Sequence, residues 1–276
     1  MLDGTTMTVL ADAPTSNQPW GVAVNSDTNR VYVAAFASGW VNVYNASTLA
    51  RLADINVGPE LTFVKVNPQT NMVFAASHRD NSTAIIDGAS NTLLAKKSTG
   101  AGTWGLAVNT NLNRVYIGSR DAGTIVTLDG NNGFNSISGQ TIRACPGDRS
   151  SPYSLEFDPV RNQLYVACST DGSVNQLVTY LAAGTGLFAV ATTAIGEGGD
   201  DGGGGIAVNT TTGHVFVTNS QSNTVSVASG ITYNALATVS TGLSPFGDAV
   251  DPTTGRVYVV NRESDNISVF SDVFGP

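Results

Sequence analysis

The feature that most constrains this chain is a motif that recurs six times along its 276 residues. Each copy has a short apolar segment ending in Asn or Asp, a polar turn, and a second apolar segment. In the last copy these segments are Gly247–Asp251 and Arg256–Val259. The anchors of the second segments, spaced 42, 42, 49, 51 and 42 residues apart, are Val31, Val73, Val115, Leu164, Val215 and Val257. A near-constant period marks a repeat architecture, so the repeat unit determines the fold.

Each repeat holds a third apolar segment and most hold a fourth, so a full repeat has the content of a four-stranded sheet. Third segments include Trp40–Tyr44 and Asn266–Phe270, and fourth segments include Arg51–Val57 and Leu236–Val239. Four short strands in about 40–50 residues are typical of one β-propeller blade. We therefore predict an all-β, six-bladed β-propeller with four antiparallel strands per blade in a single domain, 1–276. The predicted blade cores are 19–58, 59–100, 101–147, 148–197, 198–242, and 243–276 together with 5–12.

The turns between the first two strands share one chemistry. They begin with Asn or Asp and end with Asn or Gly, as in Asn67–Asn71 and Asp251–Gly255. An Asn or Asp side chain can accept a hydrogen bond from the backbone two residues on, and Asn and Gly tolerate positive φ. Each turn is therefore predicted to be a hairpin loop that closes on a left-handed residue.

The two ends of the chain predict how the ring closes. The sixth repeat stops after its third strand, whereas Thr6–Ala11, ahead of the first repeat, resembles a fourth strand. We expect this N-terminal strand to complete the last blade, because closure removes unpaired strand edges. An open stack, or a seventh blade that has been lost, is the alternative.

Low charge excludes several classes of partner. Only 12% of residues are charged, the net charge is −8, and the lysines are Lys65, Lys96 and Lys97. Nucleic-acid binding requires a basic patch, so no nucleic-acid partner is expected, and anionic membranes are disfavoured for the same reason. No apolar run approaches the roughly 18–20 residues of a spanning helix, so no membrane insertion is expected. No signal peptide is recognisable either.

The two cysteines, Cys145 and Cys168, are too few for a disulfide framework, and they form no metal-binding or redox motif. The sequence leaves open whether they pair, and unpaired thiols are the favoured interpretation.

Two segments resemble the YVTN family of β-propeller repeats. They are Arg256–Asn261 followed by Ser264–Phe270, and Thr218–Val227. The resemblance spans essentially the whole chain and implies a propeller exported to the periplasm or cell exterior. It also implies a non-catalytic interaction or surface-assembly role. Members commonly have seven blades, so six is a departure. In blade number the chain approaches lactonase-like propellers, which use a metal in the central channel, so a lactonase-like hydrolase or lyase is the alternative.

A binding face is expected where the loops before the first strands meet those after the second strands. Aromatic residues occur there at one register and could stack on a carbohydrate or grip a protein ligand. They could instead wedge between blades as core, with the charged residues as solvated turns. The predicted face comprises Trp20, Arg79, Trp104, Arg120, Asp121, Tyr153, Phe246, Arg262 and Glu263. Further loop charges are Glu60, Arg149, Asp171, Asp200 and Asp201, the last two within a glycine-rich run, 196–205.

A few ionisable residues break the repeat. Asp248 stands where the other copies have an apolar residue, and Glu156 and Lys65 interrupt a column of alanines. A buried carboxylate must be paired or bind a metal, so Asp248 and Glu156 are candidates for a Ca²⁺ site in the central channel. A structural carboxylate bonded to local backbone is the alternative. His78 is the candidate acid–base group, whereas His214 is expected to be structural. The chain contains no nucleophile elbow, phosphate loop or zinc-protease motif.

Overall fold

A computed structural model describes residues 1–137, 139–147, 150–170, 173–184, 186–196 and 204–275. It confirms the predicted fold class, an all-β, six-bladed β-propeller of antiparallel sheets. The chain groups into two compact units, Met1–Leu106 and Ala107–Pro276. None of the described ranges holds a helix with the length and apolar character required to span a bilayer.

The first unit holds two complete four-stranded meanders. The first sheet comprises β1 (Pro19–Asn25), β2 (Arg30–Ala35), β3 (Trp40–Asn45) and β4 (Arg51–Asn56). The second comprises β5 (Leu61–Asn67), β6 (Met72–Ser77), β7 (Ser82–Asp87) and β8 (Thr92–Ser98). One continuous apolar core joins them, because inward side chains of both sheets, such as Val43 and Val73, lie in the same buried cluster.

The third sheet begins at the end of the first unit, and the remaining sheets lie in the second unit. The third sheet comprises β9 (Thr103–Asn109), β10 (Arg114–Ser119), β11 (Thr124–Asp129), β12 (Asn135–Ser136) and β13 (Ile142–Arg143). The fourth comprises β14 (Ser150–Asp158), β15 (Gln163–Thr170), β16 (Ser173–Ala183) and β17 (Gly186–Ala194). The fifth comprises β18 (Ile206–Asn209), β19 (His214–Asn219), β20 (Thr224–Ser229) and β21 (Ala235–Ser240). The sixth comprises β22 (Pro245–Asp251), β23 (Arg256–Asn261) and β24 (Asn266–Ser271).

The hairpin turns have the predicted geometry. In the second repeat, for example, Asn67 Oδ1 accepts a hydrogen bond from the Gln69 amide at 3.1 Å, and Asn71 closes the turn at a φ of 53°. Glycine takes the closing position in the last two repeats, where Gly213 and Gly255 have φ values of 79° and 67°. The polar residues of these turns therefore determine backbone geometry.

The basic residue before the second strand ties neighbouring sheets together within each unit. Arg30 donates to the Gly88 carbonyl in the first unit. In the second unit, Arg114 donates to the Gly184 carbonyl at 2.5 Å. In the fourth repeat Gln163 takes this position, and Arg161, two residues earlier in the turn, donates to the Thr210 carbonyl at 3.0 Å. Each contact runs from one sheet to a hairpin turn of another, so an arginine at or just before the start of the second strand links two sheets.

The sixth sheet departs from the prediction, because among the described residues it has three strands, with β24 paired to β23. The segment 5–12 forms no strand of this sheet and instead folds back on the first residues of the chain. Asp3 Oδ1 accepts the Thr5 and Thr6 amides, each at 2.8 Å, and the Leu10 amide donates to the Met1 carbonyl at 2.9 Å. This local turn occupies backbone groups that a fourth strand would use.

The favoured interpretation of the cysteines is wrong, because Cys145 and Cys168 form a disulfide with a Cα–Cα distance of 5.8 Å. Both residues are buried, and Tyr180 Oη donates to the Ala144 carbonyl beside them at 2.7 Å. The bond ties the extra chain after β11 to β15. That extra chain accounts for the spacing of 49 residues between Val115 and Leu164, which the sequence showed without a reason.

Candidate functional site

In the first unit, the loop that leads into β5 lies between two turns that follow second strands. The Glu60 amide donates to the Phe36 carbonyl at 3.1 Å, and the His78 amide donates to the Glu60 carbonyl at 3.0 Å. Glu60 has a left-handed backbone (φ 54°), as do Gln18 and Ser244 at the same position of other repeats. The conformation therefore belongs to the repeat, whereas the carboxylate is particular to this loop.

The Glu60 carboxylate lies close to two nitrogen-bearing side chains, His78 and Arg79. Oε2 lies 3.0 Å from His78 Nδ1, and Oε1 lies 3.7 Å from an Arg79 guanidinium nitrogen. The Arg79 side chain is 72% exposed, while those of Glu60 and His78 are 30% and 25% exposed. Because such partly solvated pairs contribute only about 0–1 kcal/mol, stability alone does not account for the group. It offers solvent a carboxylate and a guanidinium side by side.

An aromatic cluster, consisting of Trp20, Phe36, His78 and Trp104, lies behind this edge. Trp20 stacks on Phe36 with centroids 4.1 Å apart, and its edge meets Trp104 at 5.8 Å. Trp104 in turn meets His78 edge-on at 5.1 Å, and its carbonyl accepts a 2.8 Å hydrogen bond from Thr62 Oγ1. Trp104 is only 4% exposed, so it serves as core rather than as an open platform. Trp20 and Phe36 are half-buried and keep surface available to a ligand.

In the second unit, the aromatic residues at this position of the repeat form two cation–π pairs. The Arg120 guanidinium lies 5.0 Å from the Tyr153 ring, and that of Arg262 lies 5.6 Å from the Phe246 ring. Tyr153 is buried at 8% exposure, so the core interpretation holds for it as for Trp104. Both arginines follow a second strand, as Phe36 and His78 do.

Asp121 and Glu263, the neighbours of these arginines, are exposed. In each unit, one predicted aromatic is buried (Trp104, Tyr153) and one is half-buried (Trp20, Phe246), while charged residues that follow the second strands are exposed. The sequence predictions omitted Phe36 from this face. Its position after a second strand, shared with His78, Arg120 and Arg262, was the pattern that could have identified it.

Asp248 lies on β22 opposite Val259, with both carboxylate oxygens buried. Gly205 packs directly against it, and a Cβ at that position would overlap Asp248 Oδ1. The Gly205 amide donates to Thr218 Oγ1 at 2.7 Å, which holds the glycine in place. A carboxylate thus stands at a position where the other copies of the repeat have an apolar residue.

Glu156 and Lys65 are half-buried on β14 and β5. Glu156 Oε1 accepts the Phe157 amide at 3.2 Å, which is the local backbone contact of a structural carboxylate. Within the described ranges, no group of three or more His, Cys, Asp or Glu side chains has the arrangement of a metal site. The Ca²⁺ site therefore stays a prediction.

His214 has a structural role, as expected. It is 4% exposed, and its Nδ1 lies 2.6 Å from Oδ1 of Asp272, whose side chain is fully buried. Asp272 Oδ2 accepts hydrogen bonds from Asn209 Nδ2 and Thr212 Oγ1, both at 2.7 Å. The sequence predictions missed Asp272, which follows the third strand at a position where the other repeats have alanine or glycine.

Several loop charges predicted from the sequence lie outside the described residues. They are Arg149, Asp171, Asp200 and Asp201, with most of the glycine-rich run 196–205.

No family model matches the chain, and no curated protein matches it. Solved structures do match. The chain is similar to Kuenenia stuttgartiensis Hydrazine Synthase, with 16% identity and a TM-score of 0.83 over 99% of this chain and 89% of that chain. It is also similar to a "putative 6-phosphogluconolactonase" from Bacteroides uniformis ATCC 8492, with 14% identity and a TM-score of 0.76 over 93% and 82% of the two chains. At these identities the similarity establishes the β-propeller fold alone.

Proposed function

We propose that this protein is an exported, YVTN-type propeller that acts as a non-catalytic interaction module through its loop face. The observation that carries the proposal is the edge at Glu60 and Arg79, which presents opposite charges beside the half-buried Trp20 and Phe36. Aromatic surface next to hydrogen-bonding charged groups suits polar ligands that also have an apolar face.

An exported location, extracellular or periplasmic, is supported by the disulfide between Cys145 and Cys168. Disulfides persist in oxidising compartments and are rare in reducing ones. The low lysine content and acidic charge agree with a partner that is neither nucleic acid nor an anionic membrane.

A carbohydrate is the partner class that we favour at this edge, with a protein as the other class. Sugar rings place C–H groups on aromatic surface and hydroxyl groups against charged side chains. Trp20 and Phe36 supply the first, and Glu60 and Arg79 supply the second.

Binding of the intact protein to a saccharide panel tests this. We expect Trp20→Ala and Arg79→Ala each to weaken binding at least tenfold. Arg51→Ala is the matched control, because Arg51 is also exposed and pairs with an acidic residue, Asp54, on an outer strand. A wild-type protein that binds no saccharide, or variants that bind as well as the parent, would refute the carbohydrate proposal.

The alternative, a lactonase-like hydrolase or lyase, is favoured by one observation, the burial of both Asp248 carboxylate oxygens. It uses Asp248 and Glu156 as ligands of a Ca²⁺ ion and His78 as the acid–base group. Elemental analysis of protein purified without chelator, together with a lactone hydrolysis assay, tests it. We expect neither bound metal nor turnover, and the presence of both with loss in Asp248→Asn would replace our proposal with this one.

A further inference from the structure

The outer hairpin of the fourth sheet is longer than its counterparts. Strands β16 and β17 have 11 and 9 residues, whereas β20 and β21 have 6 each. The β20–β21 pairing ends at Ala228 opposite Ala235, and Tyr180 opposite Ala189 is the equivalent pair in the fourth sheet. The pairing there continues through Ala183 opposite Gly186, so the hairpin projects beyond the common blade.

The projecting part is held firmly on its own unit. Arg114 donates to the Gly184 carbonyl at 2.5 Å, and the Ala182 amide donates to the Asn162 carbonyl at 3.0 Å. Both contacts come from elements outside the hairpin. The hairpin is thus a preorganised feature of the surface.

This anchored hairpin exposes large apolar side chains. Leu181 and Phe188 face each other across the strands and are 38% and 58% exposed, and Val190 beside them is 43% exposed. Isolated exposed apolar residues are normal on proteins, whereas several on one rigid element indicate an interaction surface.

Strand β17 also lacks the protection that outer strands usually have. Charged residues on an edge discourage pairing with another chain. The outer strand β4 carries Arg51 and Asp54, and β8 carries Lys96 and Lys97. The outer strands β17 (GLFAVATTA) and β21 (ALATVS) contain no charge and no proline, and β17 is the longer of the two by three residues. Thr193 Oγ1 donates to the Tyr233 carbonyl of the β20–β21 turn at 2.7 Å, and the residues of β17 ahead of Thr193 carry no charge that would discourage pairing with another strand.

We infer that β17 is a homodimerisation edge, on which the β17 strand of a second copy pairs antiparallel across a two-fold axis. Copies of a chain with a net charge of −8 repel one another in general, so self-association requires an uncharged surface. Antiparallel pairing about a two-fold axis places β17 against an identical uncharged strand, whereas β8 would place lysines against lysines. Nine paired residues would form about eight interchain backbone hydrogen bonds and cover Phe188 in both copies.

Light scattering coupled to size exclusion tests the inference on the full chain at high micromolar concentration. We expect twice the 28.5 kDa mass of one chain for the wild type. Phe188→Lys should place two like charges at the interface and raise the dimer dissociation constant at least tenfold. Leu94→Lys is the control, because Leu94 is 54% exposed on the outer strand β8.

A dimer that is lost in Phe188→Lys and retained in Leu94→Lys supports the inference. A monomeric wild type, or a dimer that persists in Phe188→Lys, overturns it. Hydrogen exchange of the wild type provides a measurement that does not depend on how the variants fold. Amides of Gly186–Ala194 should be protected at high concentration and exposed on dilution, and unchanged exchange overturns the inference.

Discussion

Replacing Asp272 with alanine should be the most damaging single substitution outside the apolar core. Its carboxylate is fully buried and lies 2.6 Å from His214 Nδ1, and it accepts hydrogen bonds from Asn209 and Thr212. Asp272→Ala leaves three polar groups without this acceptor, and two of them, those of His214 and Asn209, are buried. Removal of one member of a buried pair costs about 3–5 kcal/mol, because the partner remains desolvated. We therefore expect the free energy of unfolding to fall by that amount.

Urea unfolding followed by far-UV circular dichroism measures the loss. The three tryptophans, Trp20, Trp40 and Trp104, all lie in the first unit, so tryptophan fluorescence reports that unit separately. The control is Asp54→Ala, which removes a carboxylate with 42% side-chain exposure from its pair with Arg51 and should cost about 0–1 kcal/mol. If Asp272→Ala costs no more than Asp54→Ala, the buried network does not hold the second unit together as reasoned.

Three further predictions concern stability. Replacement of both Cys145 and Cys168 by serine should lower the free energy of unfolding by about 3 kcal/mol, since the bond closes a loop with a sequence separation of 23, and thiol titration of the unfolded wild type should find no free thiol. Gly205→Ala should cost about 1–3 kcal/mol through overlap with Asp248, and a double-mutant cycle with Asp248→Ala should recover part of it; additive losses would contradict the contact. Burial raises the pKa of the Tyr165 hydroxyl in the folded protein. The neutral hydroxyl therefore contributes fully to the free energy of unfolding below the pKa of the unfolded state, about 10, and this contribution is lost as the pH rises above it. Tyr165→Phe should flatten the decline of Tm at alkaline pH, and an unchanged slope would count against this cause.

The blade architecture could be predicted from the sequence because the apolar segments and the turn residues of each repeat indicate the same structure. The apolar segments predict the strands, and the Asn or Asp at the start of each turn predicts the hairpins. Asn67 bonding to Gln69, and Asn71 at positive φ, show that this chemistry is local. Local determinants act within a few residues, so they can be recognised without knowledge of the rest of the fold.

The elements that the sequence did not predict depend on contacts between distant residues or on competition between alternatives. The N-terminal segment has the apolar character of a fourth strand, but the turn at Asp3 offers its backbone partners a few residues away. The pairing of Cys145 with Cys168 depends on how the extra chain of the third repeat lies against β15. Neither outcome is encoded in the period of the repeat.

The sequence predicted which positions of the repeat hold the aromatic residues of the candidate site, but it did not predict how exposed those residues are. The shared position of Trp20, Trp104, Tyr153 and Phe246 identified where aromatic residues gather, and the structure shows that Trp104 and Tyr153 are largely buried. Burial depends on what packs over a ring, which a register cannot show. The surface available to a ligand is therefore formed mainly by exposed charged residues such as Arg79.

The position before each second strand shows how one repeat tolerates a change of chemistry. Arg30 and Arg114 reach backbone carbonyls of another sheet, which requires a long side chain with several donors. The His214 side chain is shorter and has fewer donors, so it cannot reach the same carbonyl. It can link two sheets only if an acceptor lies close to it. Asp272 supplies that acceptor, and the residues that follow place Phe274 against the His214 ring. An arginine at 214 would have to displace this buried network, so we expect His214→Arg to destabilise the second unit although arginine is the commoner residue at this position.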